Sequence, residues 1–128
     1  MKSSAGACHL VNMGQIAFFS PPEIARSVLG SCIAVAIYDE HAPLAAMAHV
    51  VLPRSSGRDS SSPGKFADTA IAAMRNALIE RGAIPRRLRA KIAGGASMFA
   101  NKGPIQIGQQ NIEAVRAGLE LQSIRLAG

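Results

Sequence analysis

Apolar and polar positions divide the chain into short apolar runs and two stretches with helical periodicity. Residues 15–19, 24–29, 32–38 and 44–52 contain apolar and β-branched side chains and are bounded by Gly, Ser, Pro or Asp, a pattern typical of β-strands. The last run is apolar almost throughout, which predicts a strand buried on both faces of a sheet. Residues 39–43 form a polar turn, so 32–38 and 44–52 are expected to pair as an antiparallel hairpin.

The second half of the chain predicts two helices and two further strands. Ser62 and Pro63 suit the beginning of a helix, and Gly82 suits its end. An apolar stripe at helical spacing lies between them, at Phe66, Ala70, Ala73, Met74, Ala77 and Leu78. Residues 87–92 and 123–126 are strand candidates. A second amphipathic helix is marked by Ile112, Val115 and Leu119. This order of elements predicts the mixed α/β class.

Composition limits the kind of protein. The chain has 128 residues, of which 48% are apolar and 17% charged, as expected for one globular domain rather than a disordered segment. No apolar run approaches the roughly 20 residues of a membrane-spanning helix, and the N-terminus lacks the apolar segment of an export signal. We therefore expect a cytoplasmic protein in which Cys8 and Cys32 are reduced thiols rather than a disulfide.

The basic charge has two interpretations. The formal net charge is +6, and part of it lies in a cluster formed by Arg86, Arg87, Arg89 and Lys91. This cluster could bind nucleic acid or an acidic partner, or it could be the solvated side of a strand, because apolar residues alternate with the basic ones. Aromatic residues, which stack on bases, make up only 4% of the chain and argue against nucleic acid. Salt-sensitive binding to a duplex would test the nucleic-acid hypothesis.

Cys32 and His49 are the side chains best suited to chemistry. The stretch "VLGSCIAVAIYD" places Cys32 at the start of an apolar run, where it could be a small buried hydrophobe or a nucleophile presented by a Gly-Ser turn. His49 lies within an apolar strand, and a lone histidine of this kind is more often a hydrogen-bonded core residue. If the predicted hairpin forms, the start of its first strand lies beside the end of its second strand. Cys32 is then close to His49, whose imidazolium form would lower the pKa of the thiol.

Other groups could complete a thiol hydrolase site. Ser27 could accept a hydrogen bond from His49 and fix its tautomer, and the backbone N–H of Cys32 could bind an oxyanion. Gly94 and Gly95 indicate either a close approach of backbone to substrate or an ordinary tight turn. The sequence contains neither a phosphate-binding glycine loop nor metal-ligand spacings such as C-x-x-C, so no nucleotide or metal site is predicted.

Five blocks follow one another along the chain: "LGSCIAVAIYD", "AAMAHVVLP", "PGKFADTAI", "KIAGGASMF" and "IGQQNIEAVRAGLE". Together they resemble the CheD family of chemoreceptor glutamine deamidases. The resemblance implies one domain over residues 1–128, folded as a layered α/β sandwich. It implies a protein-glutamine glutaminase that converts receptor glutamines to glutamates and releases ammonia, without a metal or organic cofactor. Cys32 matches the nucleophile, His49 the catalytic histidine, and Ser27 the third residue, which is a threonine in the family.

The resemblance also implies partners. The substrates would be methyl-accepting chemotaxis receptors, contacted by residues 55–65 and the glycine turn, and a CheC-type phosphatase would be a second partner. Neither nucleic acid nor membrane insertion is implied. The chain departs from the family pattern at Gln110, where an arginine is frequent, and in lacking the β segment that usually closes the fold at the C-terminus. An alternative is therefore a catalytically weak CheD-like binding module that regulates a CheC-type phosphatase or a receptor. The reactivity of the Cys32 thiol distinguishes the two hypotheses.

Overall fold

The computed structural model describes residues 8–20, 23–27, 29, 32–55, 62–95 and 107–127. These residues form seven strands, two α-helices and two short 3₁₀ turns. The strands are β1 (Cys8–Leu10), β2 (Ile16–Phe19), β3 (Ile24–Arg26), β4 (Ile33–Asp39), β5 (Ala45–Val50), β6 (Leu88–Gly94) and β7 (Arg125–Leu126). The helices are α1 (Ala67–Glu80) and α2 (Ile107–Leu121), and the 3₁₀ turns are Pro63–Lys65 and Pro85–Arg87. The predicted α/β class is confirmed.

Five of the strands form one sheet in the order β2-β5-β4-β6-β7. β4 is antiparallel to both β5 and β6, so the predicted hairpin between the third and fourth apolar runs of the chain, residues 32–38 and 44–52, is confirmed. Ala34 on β4 lies directly opposite His49 on β5. The hairpin turn is fixed by Asp39, whose buried carboxylate accepts hydrogen bonds from the backbone N–H groups of His41, Ala42 and Ile84 at 2.8, 3.0 and 3.0 Å.

One face of this sheet packs against both helices. Side chains alternate along a strand, and every second residue of β4 and β5 is fully buried against α1 and α2. The members of this core from the two strands are Ile33, Val35, Ile37, Ala46, Ala48 and Val50, and those from the helices include Ile71, Met74, Leu78, Val115 and Leu119. At the centre of the sheet, the two helices cover this face completely.

The opposite face is covered by a much thinner layer. β1 and β3 pair in parallel and form a separate two-stranded sheet. Val11, which follows β1, is buried there with Ala34 and Met47, and Ala17, Phe19, Ala25 and Leu29 pack around them. Both sides of β5 are therefore covered, which explains why its sequence is apolar almost throughout. The result is the layered α/β arrangement that the sequence predicts.

Some predicted boundaries were wrong. β1, which contains His9, was not predicted. Three residues carry too little pattern to mark a strand, and β1 is defined by its pairing with β3. β3 ends at Arg26 instead of continuing to residue 29, and Ser62 and Pro63 lead into a 3₁₀ turn rather than into α1. The end of α1 is confirmed: Gly82 follows it with a φ of 109°.

Two predicted features lie outside the described residues. These are the Gly30-Ser31 turn and most of the polar loop, at residues 56–61. Within the described part of the chain, no helix is long and apolar enough to cross a membrane.

Candidate active site

His49 lies near the end of β5 and is almost completely buried. Its backbone N–H donates to the Gln15 carbonyl at 3.1 Å, and its carbonyl accepts from the Gly14 N–H at 2.9 Å. Both main-chain groups thus point away from β4, so His49 and Ala34 form a non-hydrogen-bonded pair, with Cα atoms about 4.5 Å apart. The imidazole projects to the face that the β1–β3 layer covers.

Cys32 lies immediately before β4 and is half-buried. It extends the pairing of β4 with β6, because its carbonyl accepts a hydrogen bond from the Gly95 N–H at 2.8 Å. Alternation along the strand places Cys32 on the same face as Ala34, diagonally across from His49. Diagonal positions on neighbouring antiparallel strands have Cα atoms roughly 7–8 Å apart, within reach of a long side chain. The fold therefore brings Cys32 and His49 together at one end of the sheet.

The hydrogen bond on the His49 ring defines its tautomer. Nδ1 lies 3.0 Å from the main-chain carbonyl oxygen of Val11. Because a carbonyl only accepts, Nδ1 carries the proton, and Nε2 of the neutral ring has a free lone pair. Nε2 is buried, and within the described part of the chain it has no hydrogen-bond partner. A buried nitrogen with a free lone pair, on the same face of the sheet as a cysteine, is a candidate general base.

Ser27 donates a hydrogen bond to the same Val11 carbonyl rather than bonding to the imidazole. Its hydroxyl donates to Val11 O at 2.7 Å, so Ser27 and His49 share one acceptor. The direct hydrogen bond that the sequence suggests between Ser27 and His49 is replaced by this shared contact. Val11 N–H in turn donates to the Arg26 carbonyl at 2.9 Å, which fixes the peptide units around Val11. The role of Ser27 in catalysis stays a prediction, and the structure places it one carbonyl away from the ring.

The glycine pair after β6 holds the backbone of Cys32. Gly94 has a φ of 100°, and a Cβ atom added there would lie 2.3 Å from the Cys32 carbonyl oxygen. Gly95 has a φ of 76°, and a Cβ atom there would meet Ile112 and Ile33 side chains at 2.7 Å. Both positions therefore require glycine. Among the described residues no carbonyl accepts a hydrogen bond from the Cys32 N–H.

The electrostatic environment of Cys32 differs from the expectation. Partial burial raises the pKa of the Cys32 thiol above its ordinary value, because desolvation disfavours the thiolate. The sequence instead suggests a pKa lowered by a neighbouring imidazolium. Burial thus favours the protonated form of the Cys32 thiol, and no stabilising contribution from the His49 ring offsets this effect on the pKa.

Main-chain and amide contacts were missed by the sequence analysis. Val11 and Gly14 act on His49 through their peptide groups, which give no side-chain signal. Asn111 is fully buried, and its Nδ2 donates to the Val51 carbonyl at 3.0 Å. Val51 directly follows β5, at the strand end opposite Cys32. The one signal for Asn111 is its position four residues before Val115, which makes it a polar residue in the buried stripe of α2.

Other candidates lie elsewhere. His41 is in the exposed hairpin turn, and Gln110 is exposed on α2. Arg89 and Lys91 project from β6, where Arg89 lies 3.3 Å from Glu40 and Lys91 lies over the Tyr38 ring. Cys8 is an exposed free thiol, as expected in the absence of a disulfide. The described residues contain no group of three or more His, Cys, Asp or Glu that could hold a metal ion.

Comparison with known proteins identifies similar chains. A family model described as CheD chemotactic sensory transduction matches residues 51–128. The probable chemoreceptor glutamine deamidase CheD of Methanococcus vannielii is 42% identical over 118 residues, which are 91% of this chain and 77% of that protein. The chemoreceptor glutamine deamidase CheD of Thermotoga maritima is 45% identical over 118 residues, 91% of this chain and 74% of its own length. A third relative, the probable chemoreceptor glutamine deamidase CheD of Symbiobacterium thermophilum, is 50% identical over 104 residues, 77% of this chain and 62% of that protein.

Proposed function

The chain belongs to the CheD family, and on that premise we propose that it hydrolyses glutamine side chains of chemoreceptors to glutamate, with Cys32 as nucleophile and His49 as general base. The names of its relatives support the substrate class. One observation carries the assignment to these residues: His49 Nε2 is buried and has no hydrogen-bond partner among the described residues, and it lies on the face of the sheet to which strand alternation assigns Cys32. The protein would act where the cytoplasmic parts of receptors are accessible to it.

The first half of the reaction forms a thioester. His49 Nε2 takes the proton of the Cys32 thiol as Sγ bonds to the carbon of the glutamine carboxamide. The carboxamide oxygen becomes an oxyanion, for which the Cys32 N–H is the candidate donor. When the tetrahedral intermediate collapses, the carbon–nitrogen bond breaks, and His49 returns the proton to the leaving nitrogen. Ammonia departs, and the receptor side chain is bound to Cys32 as a thioester.

The second half reverses these roles with water. His49 Nε2 takes a proton from a water molecule, and the hydroxide bonds to the thioester carbon. The carbon–sulfur bond then breaks, the proton returns to Sγ, and a glutamate carboxyl group is released. Both halves use the same Nε2 lone pair. The Val11 carbonyl keeps the ring proton on Nδ1 throughout, and Ser27 holds that carbonyl in place.

The raised pKa of Cys32 determines how the nucleophile is activated. Burial keeps the proton on the Cys32 thiol, so proton transfer to His49 Nε2 accompanies the attack on the substrate instead of preceding it. The same raised pKa is the observation that favours the second candidate function, a catalytically weak binding module that regulates a CheC-type phosphatase or a receptor.

Mass spectrometry of a purified chemoreceptor cytoplasmic fragment tests the proposal. We expect specific glutamines to become glutamates in the presence of the wild-type protein and of Cys8→Ala, the matched control at the other cysteine. Conversion should be lost in Cys32→Ala and in His49→Ala. No conversion by a folded wild-type protein, or full conversion by Cys32→Ala, contradicts the deamidase assignment. The first of these results would favour the binding module.

A further inference from the structure

Exposed apolar side chains are concentrated on the β1–β3 layer. Leu10, Met13 and Ile24 are 55%, 68% and 55% exposed, and they are three of the four large apolar side chains that are strongly exposed within the described part of the chain. Leu10 and Ile24 lie on the outward side of paired strands, and Met13 lies in the turn that follows. Single exposed apolar residues are ordinary, but a group of them beside a reactive site marks an interaction surface.

Two members of this group, Leu10 and Met13, flank the segment that contacts the candidate base. Leu10 directly precedes Val11, whose carbonyl accepts the hydrogen bond from His49 Nδ1. Met13 directly precedes Gly14, whose N–H donates to the His49 carbonyl. Residues 11–14 thus contact His49 twice, and the two exposed side chains flank those contacts. A molecule that rests on Leu10 and Met13 therefore lies at the same end of the sheet as Cys32 and His49.

Basic side chains border the same surface. Arg26 is exposed on β3, opposite Leu10 in the register. Lys65 is exposed, and its Cβ would lie 3.4 Å from a Cβ atom added at Gly14, the residue that follows Met13. Its ammonium group lies over the Phe66 ring, 5.6 Å from the ring centroid. Glu23, which is on the same layer, lies 3.5 Å from His9. Arg26 and Lys65 therefore give this border two positive charges against the one negative charge of Glu23, in a chain whose formal net charge is +6.

We propose that Leu10, Met13 and Ile24, bordered by Arg26 and Lys65, form the docking surface for the protein substrate. Its occupant is the receptor surface beside the target glutamine, with apolar side chains bordered by carboxylates. The inference rests on the proposed function. A glutamine side chain is short, so the backbone that carries it into the site must pass close to residues 10–14. A second copy of this chain is a poorer occupant, because two surfaces with the same positive border repel each other.

Binding measurements in a Cys32→Ala background test the docking surface apart from catalysis. The probe is the receptor cytoplasmic fragment, titrated by calorimetry. We expect Leu10→Gln/Met13→Gln to weaken binding at least tenfold, because apolar contacts at the centre of an interface carry much of its affinity. Leu121→Gln is the matched control: Leu121 is 82% exposed on α2, away from this layer, and its substitution should leave the affinity within about twofold. Thermal melting confirms that all variants fold.

Salt provides a second readout. Binding by the parent should weaken as ionic strength rises from about 0.05 to 0.3 M, and Arg26→Gln/Lys65→Gln should flatten that dependence. Equal affinities for Leu10→Gln/Met13→Gln and Leu121→Gln overturn the docking surface, even if the wild type converts receptor glutamines. If Leu10→Gln/Met13→Gln loses binding while Leu121→Gln retains it, and the wild type converts no glutamine, the docking surface is supported and the deamidase assignment is contradicted. If binding is too weak to titrate, kcat/KM for glutamine conversion by the same variants with Cys32 retained gives the same comparison, and absence of both binding and conversion overturns both proposals.

Discussion

The helix-facing side of the five-stranded sheet is filled with fully buried aliphatic side chains from β4, β5 and both helices, whereas the other side is covered by two strands of three residues each. The first side has a continuous close-packed core. The second side holds Val11, Ala34 and Met47 as its buried members, together with the His49 ring. We infer that stability comes mainly from the helix side, and that the thin layer serves to position one histidine and to leave the thiol accessible.

The two sides should respond very differently to loss of an apolar side chain. Leu78 on α1 is fully buried, and Leu78→Ala should lower the free energy of unfolding by about 2–5 kcal/mol, because it removes buried methyl groups and leaves a cavity. Leu10→Ala, on the outer side of the β1–β3 layer, should change it by less than about 0.5 kcal/mol. Urea denaturation measures both. Comparable losses at the two positions would show that the thin layer carries part of the core stability.

Substitution of Gly94 tests how the neighbouring strand, β6, supports Cys32. Gly82 and Gly94 both have a positive φ, of 109° and 100°, but an added Cβ meets nothing within 4 Å at Gly82 and the Cys32 carbonyl at Gly94. Gly82→Ala should therefore cost about 1–2 kcal/mol of stability from backbone strain alone, with activity retained in the folded fraction. Gly94→Ala should also move Cys32, and a displacement near 1 Å lowers activity about 100-fold. Measuring receptor deamidation per folded molecule distinguishes Gly82→Ala from Gly94→Ala. Equal activities of the two variants would show that Gly94 does not support the site.

Ser27 offers a finer comparison within the thin layer. Removing its hydrogen bond to the Val11 carbonyl by Ser27→Ala should lower kcat/KM about fivefold, since one such bond is worth about 1 kcal/mol. Ser27→Thr keeps the hydroxyl and should restore activity. A positioning role also predicts that the ¹⁵N spectrum of His49 in Ser27→Ala shows a mixture of tautomers, while the wild type is protonated at Nδ1. An unchanged tautomer in a variant that has lost activity would assign Ser27 another role.

The two sides of the sheet also differ in how far the sequence predicts them. The helix side follows from periodicity: the stripe on α1, the alternation on β4 and the turn at residues 39–43 each have a local pattern, and the predicted pairing of Cys32 with His49 depends only on that hairpin. The thin layer depends on long-range contacts. Val11 acts through a carbonyl, and β1 through its pairing with β3, so neither leaves a side-chain pattern in the sequence. The pKa of Cys32 depends on burial, which the hairpin alone does not determine.

Alkylation of Cys32 as a function of pH gives the smallest expected effect and examines that burial directly. In a Cys8→Ser background only Cys32 reacts with iodoacetamide, which attacks through the thiolate. Burial raises the thiol pKa, so the rate should be low at pH 7 and its inflection should lie above the ordinary thiol value of 9.0.

The same pKa shift of Cys32 has a consequence for folding stability. Between the ordinary pKa and the raised one, the unfolded chain loses the Cys32 proton while the folded chain keeps it, so folding stability falls as pH rises through this range. Cys32→Ala should lack this alkaline component, which thermal melting from pH 8 upward would show as a flatter decline. An inflection of the alkylation rate well below 9.0 would contradict the raised pKa and would indicate that Cys32 is a thiolate in the resting protein.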